Sequence, residues 1–371
     1  MKQIVKRICF LSLLILFLTA LPLIGVWIAG DSVKQYLEFP PLTRYVEHAG
    51  FSWPVFIGLA LVILTAVCPF IIRILTSPFP RVPASPRHRF PSWGWAGVAL
   101  NIAAWFLSWK QPQWLGSLQL YIFFPIWLGY IIVVNAYTHK RTGKCMLINQ
   151  SSYFVMLFIA SSAFWWFFEY LNRFVQNWYY TGIETVTPLQ YFIIGSLHFS
   201  TVLPAVLGTY DLLKSFPRIS SGMDKFIRID KFSPKTTAWL TLTASCAGLT
   251  AIGIWPDYLF PLLWLSPLFI ITSLQTIYGR NTIFSSIRYG YWRRIFLLAL
   301  SALICGFFWE MWNFHSSPQW IYTVPFVARF KVFEMPILGY AGYLPFGLEC
   351  AIIADMIKNT LKLRIDSNEL D

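Results

Sequence analysis

Two stretches of this chain place a carboxylate and a carboxamide three residues apart among aromatic side chains. One is FFEYLNRFVQNWYYT, Phe167 to Thr181, with Glu169 and Asn172. The other is FFWEMWNFHSSPQWIYT, Phe307 to Thr323, with Glu310 and Asn313. Positions i and i+3 share one face of a helix, so each Glu works beside its Asn. A carboxyl group in apolar surroundings is costly, and within a membrane it marks a functional site by default. Kept neutral, it can donate a proton. The rings of Trp and Tyr beside it can stabilise a positive charge. The plainer alternative is that each pair bonds to nearby backbone and pins two parts of the protein together.

Each pair runs into a segment where aromatic and polar residues alternate. Glu310 is flanked by Trp309 and Trp312 and followed by His315, Trp320 and Tyr322; Glu169 is followed by Arg173, Trp178 and Tyr180. Further on, FEMPILGYAGYLPFGLEC opens with Glu334, carries Tyr340 at its centre and ends near Glu349, the deepest acid in the apolar runs. His198, opposite Gly339 at the repeat offset, is the matching feature in the first half. Glu310, Glu349, Asn313, Glu169 and Asn172 are therefore the candidate catalytic residues. The named aromatic residues, with His198, His315, Arg173 and Glu334, are candidates to line a substrate site.

Other chemistries lack their residues. The five histidines are scattered, the six cysteines form no C-x-x-C, and no metal site is expected. No P-loop, dinucleotide fingerprint or G-x-S-x-G elbow appears, and no cofactor is expected.

The elements that must position these residues are membrane helices. The 371 residues are 57% hydrophobic and 12% charged, against about 25% charged in a soluble domain. Apolar windows of spanning length fall at 8–29, 51–72, 92–109, 114–137, 152–172, 189–213, 236–254, 258–277, 295–312 and 334–357. Backbone in lipid must satisfy itself, so the expectation is an all-α polytopic bundle of about ten transmembrane helices. The N-terminal apolar stretch is read as an uncleaved first helix. If both termini are cytoplasmic, 23 of the 29 Lys and Arg fall on that side, which is the positive-inside pattern. The net charge of +13 thus reports topology and anionic lipid, and nucleic acid is not an expected partner. A bacterial inner membrane is the expected location.

The two Glu–Asn pairs belong to a longer internal match. Glu169 and Glu310, Asn172 and Asn313, and Leu203-Pro204 and Leu344-Pro345 all stand 141 residues apart. Trp178 and Tyr180 align with Trp320 and Tyr322 after a one-residue insertion. Both segments end in D-x-x-K, at Asp211/Lys214 and Asp355/Lys358, read as i,i+3 ion pairs. The expected organisation is a two-helix addition with a basic loop (1–91), a four-helix repeat (92–214), a basic linker (215–235), a second four-helix repeat (236–357) and a tail (358–371). Four helices per unit keep the repeats parallel, related by an axis along the membrane normal.

The segment from Trp320 through Tyr322 to LPFGLE, Leu344 to Glu349, resembles the small membrane lycopene cyclases of bacteria, archaea and fungi. Those proteins are themselves duplicated and carry acids in a PLEE-like motif. Here the adjacent acid pair is missing and a glycine intervenes. The resemblance implies an enzyme that starts cyclisation or isomerisation of an isoprenoid by proton donation. Two further expectations stand beside it. Parallel repeats with intramembrane acids also suit a transporter or lipid-binding protein, and polar pins suit a subunit of a membrane complex with a protein partner. Membrane lipids and a hydrophobic small molecule are the expected ligands.

Overall fold

The computed structural model describes residues 2–78, 88–230 and 234–368. Parts of the three basic segments read from the sequence, at 79–87, 231–233 and 369–371, lie outside the described residues. The chain opens with α1 (Lys2–Ile28), α2 (Trp53–Thr76) and α3 (Ser92–Lys110). Next come α4 (Phe123–Thr142), the short α5 (Met146–Asn149) and α6 (Ser151–Val175), then strand β1 (Trp178–Thr181). It continues with α7 (Pro188–Phe199), α8 (Val202–Lys214), α9 (Pro234–Ala251), the one-turn α10 (Pro256–Leu259), α11 (Leu262–Ile277) and α12 (Arg293–Asn313). Strand β2 (Gln319–Tyr322) and the ribbon of β3 (Lys331–Val332) and β4 (Met335–Pro336) precede α13 (Tyr343–Asn368).

The fold is all-helical, with two short two-stranded ribbons. A helix occupies every window read from the sequence. Among the described residues, six stretches are long and apolar enough to cross a membrane: Cys9–Ile28, Trp53–Thr76, Ser151–Val175, Pro188–Lys214, Arg293–Asn313 and Ile337–Leu361. A seventh crossing would join α4 to the 3-10 segment Gln113–Tyr121 across a 62° bend. The 3-10 segment is itself broken at Gly116, whose φ of 49° and ψ of −131° no helix accommodates. The other three windows hold shorter or less apolar helices. α11 has 16 residues and is interrupted by Pro267. α3 and α9 are diluted by Trp, Asn, Ser and Thr.

Local signals explain where several helices start and stop. Thr187 caps α7 through a reciprocal capping box with Gln190, and Pro188 takes the first helical position. Gly143, at φ 75°, ends α4 after the basic run His139, Lys140 and Arg141. The D-x-x-K pairs form differently from expectation. Arg294 of α12 reaches both oxygens of Asp355 at 2.8 and 2.7 Å. Lys358 lies over the Tyr153 ring and Lys214 over the Tyr210 ring, each 5.8 Å from the centroid. A planar guanidinium from a neighbouring helix outcompetes a flexible ammonium one turn away.

Close helix approach depends on small residues. Gly25 of α1 and Gly253 leave no room for a side chain against each other's backbone, and a Cβ on Gly347 of α13 would strike the Leu298 carbonyl of α12. α2 is the exception. None of its residues is buried, and its described contacts lie near its ends. Trp53 and Phe56 pack on Phe330, Phe70 packs on Phe226 and Trp292, and Arg73 donates to the carbonyls of Gly222 and Lys225. Elsewhere the α1–α2 connection is pinned across the bundle end where α6 finishes. His48 Nδ1 sits 2.6 Å from Asp257 Oδ1, and Arg173 donates to the Glu38 carbonyl at 2.8 Å.

Because α12 and α13 touch through backbone, Gly347→Val is expected to destabilise the protein by about 2 kcal/mol or more. A lower melting temperature in mild detergent, compared with the same change at the unburied Gly58, checks it.

Candidate functional site

The two asparagines build the corners that lead into the strands. Asn172 Nδ2 donates to the Trp178 carbonyl at 2.7 Å, while its Oδ1 accepts from the amides of Asn177 and Trp178 at 2.8 and 3.4 Å. Asn313 Nδ2 donates to the Trp320 carbonyl at 2.8 Å, and its Oδ1 accepts from the Trp320 amide at 2.9 Å. Each carboxamide satisfies backbone groups left over where a helix gives way to a strand. Strands β1 and β2 then pair antiparallel, with Trp178 opposite Tyr322 and Tyr180 opposite Trp320. One ribbon thus carries aromatic residues from both halves of the chain.

The glutamates lie behind that ribbon, and both are fully buried. Glu169 Oε1 accepts from the indoles of Trp165 and Trp178 at 2.9 and 3.2 Å and from the Tyr180 hydroxyl at 2.7 Å. Glu310 Oε1 accepts from the hydroxyls of Tyr322 and Tyr343 at 2.9 and 2.7 Å. The Trp320 indole is turned toward Glu310 but closes no hydrogen bond. In both residues Oε2 has no partner. Every donor to either carboxyl is a neutral side chain. Burial, reinforced by the adjacent carboxyl, holds the Tyr180 and Tyr322 phenols well above their ordinary range, so both remain O–H donors.

These donors wall a cavity of about 100 Å³. Trp165, Trp178 and Tyr180 form the side backed by Glu169, and Trp309, Tyr322 and Tyr343 the side backed by Glu310. Trp264 of α11 closes the space by stacking on Trp178, with centroids 6.0 Å apart. Phe123, His198 and Trp320 also line it; the Trp320 ring stands edge-on to Phe123 at 5.3 Å. His198 Nε2 has no hydrogen-bond partner.

Six residues expected to line the site from the sequence therefore do so: Trp178, Tyr180, His198, Trp309, Trp320 and Tyr322. Others are placed differently. Arg173 is held by the carbonyl and carboxylate of Glu38 and is not a lining residue. His315 is exposed and packs edge-on against Trp109. Trp312 turns toward α4, packing on Trp127 at 4.9 Å. Glu334 pairs with Lys331 at 3.4 Å, and Tyr340 donates to the Val332 carbonyl at 3.1 Å. Glu349 lies one turn beyond Phe346, whose ring packs on Trp165 and Trp264. The Leu268 amide faces its carboxyl, yet neither oxygen has a hydrogen-bond partner. It is a buried acid beneath the aromatic layer, outside the cavity lining.

Tyr343, Trp165 and Trp264 were not singled out in the sequence. Tyr343 and Trp165 show why the two carboxyl sites differ. At the offset of 141, Gly306 corresponds to Trp165 and Tyr343 to Val202. A Cβ on Gly306 would collide with the Tyr343 ring. In one site the large donor stands on the glutamate's own helix; in the other a glycine vacates that place and a phenol from α13 fills it. Compared with protein-family models, curated proteins and solved structures, the chain matches none.

Removing an asparagine leaves backbone groups unpaired. Asn172→Ala and Asn313→Ala are each expected to cost about 2–4 kcal/mol of stability, read as earlier denaturant midpoints in detergent. Gly306→Val should displace Tyr343, seen as a change in tryptophan emission from Trp309; unchanged emission with intact folding would contradict the packing described.

Proposed function

We propose that this protein is an integral membrane enzyme that admits an apolar molecule, a lipid or isoprenoid, into the aromatic cavity and starts an acid-initiated isomerisation or cyclisation there. One observation carries the reading: two buried carboxyls stand behind a wall of π faces, and no basic side chain is bonded to either. Such a box favours positive charge on whatever occupies it.

Glu310 is the proton source. Tyr322 and Tyr343 both donate to Oε1, so the carboxylate left after proton transfer is stabilised as it forms. Oε2 is the oxygen free to carry the proton. Its transfer to one carbon of a substrate double bond forms a C–H bond, consumes the π pair and leaves the neighbouring carbon cationic. Trp309 and Trp165 stabilise that carbon through their ring faces. Return of a different proton from the cation to Oε2 restores the acid and releases an isomer. Glu169 stays in place as a second counter-charge, with Trp178 and Tyr180 as its donors. Asn172 and Asn313 position the strands that carry those donors.

The same reading takes the chain as about ten crossings built from two parallel four-helix units, with both termini on the cytoplasmic side of a bacterial inner membrane. The parallel bonding of the two Glu–Asn corners and the distribution of 23 of 29 Lys and Arg support it. A second reading, a transporter or lipid-binding protein, is favoured by one feature that the two halves share: each glutamate leaves one carboxyl oxygen without a partner. Membrane lipids are its partners in either case.

Purified in mild detergent and extracted, the protein is expected to yield a bound lipid or isoprenoid by mass spectrometry. Glu310→Gln and Tyr343→Phe should lower conversion of that molecule at least about tenfold, whereas Glu169→Gln should weaken its retention more than its conversion. Equal effects of Glu169→Gln and Glu310→Gln on retention, with no product from the wild type, would favour the transport reading.

A further inference from the structure

The two carboxyls present an imbalance. Buried carboxylates are ordinarily paired with a cation. Glu169 and Glu310 are fully buried within the wall of one cavity, and their bonds come only from Trp and Tyr. Arg173, the basic residue nearest in sequence, is engaged by Glu38. Both Oε2 atoms lack a partner. Among the described residues no cationic side chain bonds to either carboxyl, so a cation in the cavity would meet no competitor for them.

The lining says what kind of cation fits. A hydrated inorganic cation requires several oxygen ligands. Here the Tyr180, Tyr322 and Tyr343 hydroxyls and the Trp165 and Trp178 indoles donate to the carboxyls, the Trp320 N–H stays unpartnered, and most of what remains toward the cavity is ring surface. Ring faces suit a soft organic cation. His198 supplies one directional feature. Its Nε2 is unpartnered on a lining residue, and with the ring proton on Nδ1 that nitrogen is a bare acceptor. About 100 Å³ accommodates a small head and not a long chain.

We propose that the cavity is a receptor for a compact protonated amine carried on a hydrophobic chain. Glu169 and Glu310 are its counter-charges, Trp165, Trp178 and Trp309 its π walls, and His198 Nε2 accepts the amine N–H. The proposal rests on the reading of this cavity as a place for positive charge. It reaches beyond that reading by naming a ligand that binds with no bond made or broken.

The test uses the full-length protein in an uncharged maltoside detergent and follows tryptophan emission. Three probes share one chain length: dodecyldimethylamine in its protonated form, dodecyltrimethylammonium, and the uncharged carbon isostere of the latter. The protonated amine should bind at least about tenfold tighter than the isostere and about threefold tighter than the quaternary ion. Glu310→Gln should shrink the first ratio, and His198→Phe should abolish the second while sparing the quaternary ion. Equal binding of all three by the wild type overturns the proposal, with no need for a variant to fold. If a neutral isoprenoid co-purifies and is converted while the three probes bind equally, this proposal fails and the enzymatic reading stands. If the amine is preferred but no lipid is retained or converted, the receptor stands and the chemistry fails.

Discussion

Two carboxyl groups with no cation to meet them set the terms for this part of the molecule. Each is buried completely and each draws its hydrogen bonds from uncharged donors. Bonds of that kind are worth having only if the donors arrive from fixed directions. Here they come from α6 itself, from both strands of the β1–β2 ribbon and from the start of α13. The ribbon in turn exists because Asn172 and Asn313 absorb the backbone groups at the ends of α6 and α12. Acid, ribbon and helix ends are one hydrogen-bonded unit, and the cavity is the space that it encloses.

The exchange of Trp165 and Val202 for Gly306 and Tyr343 gives the two acids different surroundings within a common plan. Glu169 is gripped by two indoles and a phenol, and all three donors lie in its own helix and adjoining strand. Glu310 is gripped by two phenols, one of which comes from a helix that begins 33 residues away in sequence. Moving α13 would take a donor from Glu310 directly, and would reach Glu169 only through the Phe346 ring that packs on Trp165. A difference of this kind is what allows one acid to react while the other holds charge.

Much of this was legible in the residues. The i,i+3 Glu–Asn pairs, the aromatic segments after them and the all-helical frame follow from spacing and apolar run length; that those segments pair as strands does not. Other parts were hidden for physical reasons. Arg173 adjoins Asn172, but one residue on a helix is a large rotation, so its side chain leaves toward Glu38. His315 lies past the helix end and follows the chain outward. Tyr343 carries no local mark, because a donor from a distant helix is visible only once α12 and α13 pack. Gly306 looked like one more small residue in a membrane helix until its neighbour's ring was in place. The D-x-x-K expectation failed similarly at Asp355: a short-range rule lost to Arg294, which tertiary packing brings there.

The way α2 is fixed has a consequence for how the sequence can drift. Its ends are tied by Trp53, Phe56, Phe70 and Arg73, and none of its residues is buried. Side chains along its middle meet no core that must be filled. Selection there reads length and greasiness and is nearly blind to shape, so Leu, Ile, Val and Ala become interchangeable letters. In the middle of α6 or α12 the same exchanges would be spelling errors. Within one polypeptide, neutral change should therefore run fast along α2 and slow along the helices that carry the acids.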